Sequence, residues 1–290
     1  VPTEVFCSGF HEGPISGMDV AVQRPLLVTC SYSDSSVRIW NYTTFKCEVA
    51  KKLSMEKETT GDVVNRPILS VAFHPSGYYL AIGFEDKVRI YHVLFEDLKF
   101  FRELNIKNAT SLRFSNGGNF LAAGAYKVVY VYTCYTLENI HMLKMHTSAV
   151  NEVGWSSDDQ KLVSVGQDGG VYVFDMFTGV REPEHVSRNT EFTSVTFLEN
   201  DMVVAAGSES NHSFILEQNS SDWIVHKVSE GVKVSQVHYF KSFHGLPCFL
   251  GGSQSGSIQL FGEVPSESFA EEIVAHLGPV RKIRNSHDGR

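Results

Sequence analysis

No apolar run in this chain approaches the roughly 18–20 residues that a helix needs to cross a bilayer, so no membrane span is expected. No basic segment followed by an apolar stretch opens the sequence, and no secretory signal is read there. Phosphate-cradling loops of the G-x-G-x-x-G or G-x-x-x-x-G-K-[ST] type are missing, which removes nucleotide binding from the candidates. Basic residues are in the minority: 25 Lys and Arg face 33 Asp and Glu, and the net charge of −8 argues against nucleic acid as a partner. The five cysteines are odd in number, widely spread and without a C-x-x-C, so they read as reduced thiols of an intracellular protein. Twelve histidines include no pair at ligand spacing beside a cysteine or carboxylate, so neither a metal nor a cofactor is expected. N-x-S/T sequons at Asn41, Asn108, Asn211 and Asn219 read as chance matches. A helical period is absent as well.

What is present is a repeat. Its sharpest copy runs His146-x-Ala-Val-x-x-Val-x-Trp155, Leu162-Val-Ser-x-Gly166 and Asp168-Gly-x-Val-Tyr-Val-Phe174-Asp175. Each copy closes on an aliphatic residue followed in most copies by an aromatic: Ile39-Trp40, Ile90-Tyr91, Val131-Tyr132, Val173-Phe174, Ile215-Leu216 and Leu260-Phe261. The second members of these pairs are spaced by 51, 41, 42, 42 and 45 residues. A period in the low forties built from short strands is the signature of WD repeats, and predicts an all-β, seven-bladed WD-repeat β-propeller with each blade a four-stranded sheet. Hydrophobic residues at 42% supply enough core for a single closed domain over 1–290. Blade one is read as Ile15–Val20, Leu26–Ser31, Val37–Trp40 and Cys47–Lys51, and blade four as Val150–Trp155, Lys161–Val165, Val171–Phe174 and Glu182–Val186. The last blade is expected to be incomplete here. Val280–Asn285 would give its innermost strand and Glu4–Cys7 its outer one, with two strands beyond Arg290 of a longer parent. The polar stretch between Lys51 and Pro67, including Met55–Gly61, reads as an extended loop.

His146, Ser164 and Asp168 are the residue types of a hydrolase triad, but His11, Thr29 and Asp34 occupy the same places in blade one, ahead of Trp40, and His276 restarts the pattern. A catalytic triad is needed once, whereas a structural network recurs. With no G-x-S-x-G elbow, the expectation is that His11, Thr29, Asp34 and Trp40, and again His146, Ser164, Asp168 and Phe174, form buried hydrogen-bonded chains that fix loops to sheets. No catalytic residue is assigned and no enzyme is expected. Loops entering the inner strands offer a candidate partner-binding rim of Arg66, Lys107, Asn108, Thr147, Arg188 and Asn189.

Several phrases are more specific than a generic repeat: His11-Glu-Gly-Pro-Ile-Ser-Gly-Met-Asp19, Thr29-Cys-Ser31, Ser36-Val-Arg-Ile-Trp-Asn-Tyr42, Phe114-Ser-Asn-Gly-Gly118, Thr136-Leu-Glu-Asn-Ile140 and His276-Leu-Gly-Pro-Val280. Together and in this order they resemble the second propeller of the cilia- and flagella-associated protein fifty-seven family, over essentially the full chain. The resemblance implies a non-enzymatic scaffold of the axoneme in cilia or flagella, with a second propeller and a coiled coil in the parent, and axonemal partners that include inner-arm dynein complexes. Met55–Gly61 departs from that family's pattern. The competing class is a substrate receptor or peptide reader, such as a ubiquitin-ligase adaptor, which would gather aromatic and charged side chains at a central opening.

Overall fold

The computed structural model describes residues 11–53, 67–182, 184–187, 190–198, 202–207, 213–218, 223–227, 234–241, 247–262 and 271–286. The expected strand at 4–7, the Met55–Gly61 loop, and the rim residues Arg66, Arg188 and Asn189 lie outside them. All regular structure among the described residues is β. Twenty-four strands fall into six four-stranded sheets, each taking its strands in sequence order. By contacts the chain divides into two units, residues 1–114 with 286–288 and 290, and residues 115–285 with 289.

In the first unit, β1 (Ile15–Val20), β2 (Leu26–Ser31), β3 (Ser36–Asn41) and β4 (Lys46–Lys52) make the first sheet, and β5 (Ile68–Phe73), β6 (Tyr79–Phe84), β7 (Val88–Val93) and β8 (Leu98–Leu104) the second. The unit also contains β9 (Ala109–Phe114). In the second unit lie β10 (Phe120–Ala125), β11 (Val128–Thr133) and β12 (Asn139–Lys144), then a sheet of β13 (Val150–Trp155), β14 (Lys161–Gly166), β15 (Gly170–Asp175) and β16 (His185–Val186). It continues with β17 (Phe192–Phe197), β18 (Val203–Gly207), β19 (Ser213–Gln218) and β20 (Trp223–Lys227), and with β21 (Val234–Lys241), β22 (Pro247–Ser253), β23 (Ser257–Gly262) and β24 (Glu271–Val274).

Composition changes across each sheet because burial does. Second strands are covered on both faces: β10 (Phe-Leu-Ala-Ala-Gly-Ala) and β14 (Lys-Leu-Val-Ser-Val-Gly) are buried at every position but the first. They are accordingly continuous apolar runs rather than alternating ones, rich in small residues that let a neighbouring sheet approach. Fourth strands face solvent, as in β8, whose five central residues are all exposed. The core is therefore laid down between sheets. One apolar layer joins Val28, Ile39 and Val49 to Ile68, Leu80 and Ile82, and another joins Val163, Val165, Val171 and Val173 to Phe192, Val195 and Ala205.

A bulge recurs in the first strands. The register with the second strand shifts between Ile15 and Gly17, Ile68 and Ser70, Val150 and Glu152, Phe192 and Ser194, and Val234 and Gln236. The residue stepped over is released from the ladder, and a bulge re-aims its side chain. Four of the five are polar and donate to a main-chain carbonyl of the following first strand or its equivalent. Ser16 Oγ donates to Ile68 O (3.1 Å), Asn151 Nδ2 to Phe192 O (2.7 Å), Thr193 Oγ1 to Ser235 O (2.7 Å) and Ser235 Oγ to Val280 O (3.3 Å). The fifth, Leu69, has no donor, and the next residue takes over: Ser70 Oγ reaches Ala109 O at 2.6 Å.

Two expected strands differ by more than a terminal residue from what is found. Glu182–Val186 shortens to His185–Val186, preceded by an isolated bridge between Phe174 and Arg181. The sequence puts a proline at 183, and proline has no N–H to give a ladder. Val280–Asn285 carries no strand assignment, because no strand pairs with it among the described residues, although Val280 and Ile283 are buried.

Candidate functional site

The first histidine network lies in the first unit. Thr29 stands on β2 and Trp40 on β3, with His11 before β1 and Asp34 in the β2–β3 turn. Trp40 Nε1–H donates to Thr29 Oγ1 (2.9 Å), and the Thr29 hydroxyl lies 2.9 Å from His11 Nε2. On the far side of the ring, His11 Nδ1 is 2.9 Å from Ser36 Oγ and 3.3 Å from Asp34 Oδ2. Asp34 also accepts the backbone N–H of Glu12 (3.1 Å) and of Ser36 (3.0 Å). Burial lowers the His11 pKa, so the imidazole is neutral: Nε2 accepts from Thr29 and Nδ1–H donates. Burial also pushes the Asp34 carboxyl up, but the Ser36 hydroxyl, the two backbone N–H groups and His11 outweigh it and hold Asp34 below the usual carboxylate range.

The second network lies in the second unit and repeats this wiring with one substitution. His146 Nδ1–H donates to Asp168 (3.0 Å to Oδ1), and the Ser164 hydroxyl donates to His146 Nε2 (2.9 Å). Asp168 accepts the N–H of Thr147 (2.8 Å) and of Gly170 (3.1 Å). Burial lowers the His146 pKa, and the same balance of burial against His146 and the backbone N–H groups leaves Asp168 low. The side chain of Phe174, expected as the closing member, makes no hydrogen bond to the network. A phenyl ring has no hydrogen-bonding atom, and Phe174 packs in the apolar layer with Trp155 and Leu162. The aromatic contact on the histidine comes from Tyr172, edge-on at 4.6 Å between ring centroids.

The reason lies two residues earlier. Asp34, Ser36, Arg38 and Trp40 correspond in spacing to Asp168, Gly170, Tyr172 and Phe174. A Cβ at Gly170 would meet the Tyr172 ring at 2.3 Å, so the glycine clears the space that the tyrosine fills. Where the first network has a serine beside the histidine, the second has a ring.

The triad-like distances do not make an open site. Ser164 is 0% exposed and His146 6%, so the nucleophile position is closed to a substrate. Among the described residues no three His, Cys, Asp or Glu side chains converge where they could hold a metal ion. Of the candidate rim, Lys107 and Thr147 are exposed. Asn108 is half-buried in a left-handed backbone conformation (φ 51°), and its N–H is given to Glu85 O at 2.9 Å. Lys107 and Asn108 belong to the first unit and Thr147 to the second.

One charged group in the second unit escaped the sequence reading. Glu152, the third residue of β13, is 2% exposed. Its Oε2 accepts the Ser194 hydroxyl and the Val195 N–H (3.2 Å) on β17, while Oε1 takes Lys282 Nζ (3.0 Å) and Arg284 Nη2 (3.4 Å). The pairing joins residues 130 positions apart, which no local spacing signals.

Four-stranded sheets stacked by apolar layers, with a buried His–Ser/Thr–Asp chain in two of them, agree with the family comparison. Residues 5–41, 57–92 and 137–175 match the WD domain, G-beta repeat family. The chain is a WD-repeat β-propeller. Two of the three matched stretches each contain a whole histidine network, and the repeats left unmatched are those lacking a clear aspartate before the third strand. Over 279 residues, 96% of its length, the chain is 34% identical to cilia- and flagella-associated protein 57 of Mus musculus, of which it covers 21%. It is 34% identical to cilia- and flagella-associated protein 57 A of Tetrahymena thermophila, over 69% of the chain and 15% of that protein. To echinoderm microtubule-associated protein-like 1 of Mus musculus it is 25% identical over 54% of the chain and 19% of that protein. The chain thus spans about a fifth or less of each of these relatives.

Proposed function

We propose that this chain is a non-enzymatic protein-interaction scaffold of the axoneme in cilia or flagella, part of a longer protein that carries a second propeller and a coiled coil, with inner-arm dynein complexes among its partners. The observation that carries the non-enzymatic reading is the duplicated network: one His–hydroxyl–Asp set in each unit, both buried and bound to main-chain N–H groups. The ciliary reading is supported by the likeness to cilia- and flagella-associated protein 57 over nearly the whole chain. In this reading residues 1–290 form one seven-bladed propeller with its last blade incomplete. Support comes from Val280, whose N–H is given to Ser253 O (3.0 Å) much as Val150 N–H is given to Tyr126 O (2.6 Å) at the start of β13. The rim of Arg66, Lys107, Asn108, Thr147, Arg188 and Asn189 then contacts partners.

The test is affinity capture from an axonemal extract with the purified chain, followed by charge reversal of Arg66, Lys107 and Arg188 together. Recovery of axonemal proteins, weakened by the reversal, is the expected result. Recovery of ubiquitin-ligase subunits instead, or labelling of Ser164 by an organophosphonate probe, refutes the proposal.

A further inference from the structure

Among the described fourth strands, β8 is the one with consecutive aromatic side chains at its centre, Phe100 and Phe101, 51% and 40% exposed. It closes the sheet of β5, β6, β7 and β8, so its outer side has no ladder partner among the described residues. Edge strands are ordinarily blunted by shortness, charge or proline. β16 is two residues long, and β4, the other fourth strand of the first unit, exposes only Lys46, Ala50 and Lys52. β8 runs for seven residues.

The outward direction of its backbone is visible at Leu98. Leu98 stands opposite Val93, yet Val93 N–H is given to Tyr78 O (2.8 Å) on the other side. Leu98 O turns away from β7 and takes a donor from outside the sheet, Lys51 Nζ at 2.8 Å. Backbone direction alternates along an antiparallel strand, so Phe100 also faces outward. The register with β7 then shifts between Ile90 and Tyr91, stepping over Phe101. This bulge lays Phe101 against His92 and Tyr79, with ring centroids at 4.5 and 5.8 Å, and ends the regular edge.

Charge separates this edge from the rest of the chain. The acids at its two ends are already matched, Asp97 by Lys51 (2.5 Å) and Glu103 by Lys87 (2.9 Å) and Arg89 (3.8 Å). Lys99 and Arg102 flank the two phenylalanines with no carboxylate partner among the described residues, and the Arg102 guanidinium lies over the Phe101 ring at 5.7 Å. In a chain of net charge −8, the centre of this strand is cationic and aromatic. An open strand edge takes an extended segment by backbone pairing and selects it by side chains. We propose that β8 docks an extended acidic segment of a partner protein, in which Asp or Glu alternates with apolar residues. Its backbone pairs at Phe100, its carboxylates meet Lys99 and Arg102, and its apolar side chains cover the two phenylalanines. This surface is distinct from the loop rim and does not depend on the ciliary reading.

The experiment is fluorescence anisotropy of a labelled peptide, Asp-Leu-Glu-Phe-Asp-Leu-Glu, titrated with the intact chain at about 0.15 M salt, with amide hydrogen exchange on the complex. The wild type is expected to bind it, and Lys99→Glu with Arg102→Glu to weaken binding by about tenfold or more. Phe100→Pro removes an outward N–H and is expected to weaken binding as well. Bound peptide should slow exchange in Leu98–Phe101 and leave β2 and β6 unchanged. Equal affinity in the charge-reversed variant overturns the proposal, as does equal binding of Lys-Leu-Lys-Phe-Lys-Leu-Lys, absence of binding at millimolar acidic peptide, or binding that slows no amide of β8. If Phe100→Pro fails to fold, the charge reversal and the exchange pattern decide. A dimer in sedimentation that the charge reversal abolishes also overturns it, since the edge would then serve a second copy of the chain.

Discussion

Replacing Asp168 by Asn tests whether the His146 network is structural. The carboxylate accepts three donors, the Nδ1–H of His146 and the N–H groups of Thr147 and Gly170, at 2.8–3.1 Å. An asparagine of the same shape offers one acceptor oxygen with two lone pairs, and turns an NH2 toward whichever donor is left over. One charge-assisted hydrogen bond is lost, about 1.5–3 kcal/mol, and one buried donor loses its partner, about 1–3 kcal/mol more. The combined loss is about 2.5–6 kcal/mol. At a urea dependence of about 3 kcal/mol/M this moves the unfolding midpoint down by about 1–2 M. Asp34→Asn is expected to lose less, because His11 Nδ1–H retains Ser36 Oγ as an acceptor at 2.9 Å. The assay is urea unfolding followed by tryptophan fluorescence, with both variants beside wild type. A midpoint for Asp168→Asn within about 0.2 M of wild type would refute the structural account, as would a larger effect at Asp34 than at Asp168.

Acidification is expected to destabilise the protein through the same residues. Both histidines have folded-state pKa values below the ordinary 6.5, so the unfolded chain binds protons first and stability rises with pH. Their contribution is fully present above about pH 6.5 and is lost as pH falls from there through the lowered folded values. The low Asp34 and Asp168 values act in the same direction at still lower pH. Urea midpoints measured between pH 4 and 8 should fall on the acid side, and His11→Gln with His146→Gln should flatten the curve. Gly170→Ser alone places a side chain against the Tyr172 ring and should destabilise by about 1–3 kcal/mol. Adding Tyr172→Arg, the residue found at the matching place in the first network, should recover part of that loss in a double-mutant cycle. Ser70→Ala removes the hydroxyl that reaches Ala109 O from β5, which its neighbour Leu69 cannot replace, and a loss of about 1–2 kcal/mol is expected in thermal or urea unfolding.

Most strand positions could be read in advance because each repeat ends on an aliphatic residue beside a large apolar one, and that pair marks the third strand without ambiguity. The structure extends several of these strands by a residue at each end, as in Ser36–Asn41 around the expected Val37–Trp40, because the flanking residues still exchange ladder bonds with β2. Burial alone could not separate Tyr172 from Phe174. Both are apolar bodies on one buried strand, and only the glycine at 170 tells which ring turns toward the histidine. Glu152 was unreadable for a different reason: its cationic partners arrive 130 and 132 residues later, and a lone glutamate on a strand carries no sign of them. The bulged position was legible only in hindsight as the polar second residue of Ile15-Ser16, Val150-Asn151, Phe192-Thr193 and Val234-Ser235.

That bulged position also explains how such uneven repeats can share one architecture. A complete His–hydroxyl–Asp chain appears in the first and fourth sheets, yet the carbonyl-directed contacts of the bulged residues also reach from first strands whose repeats show no such chain among the described residues, Thr193 and Ser235 among them. The contact asks little of the sequence: any short side chain with a donor suffices, and Ser, Thr and Asn all serve. Leu69 shows the limit of that tolerance and its remedy, since the donor moves one residue along to Ser70 and still meets a main-chain oxygen of the next first strand. Main-chain carbonyls are present whatever the sequence, so a repeat can lose its histidine and aspartate without losing its link to its neighbour. The apolar layers between sheets supply most of the stabilisation, and these single donors fix where one first strand lies against the next. Substituting Thr193 by Val keeps shape and removes the donor. It should therefore lower stability by about 1 kcal/mol and loosen hydrogen-exchange protection of β17 and β21 together, whereas equal protection in both strands would show that packing alone sets their alignment.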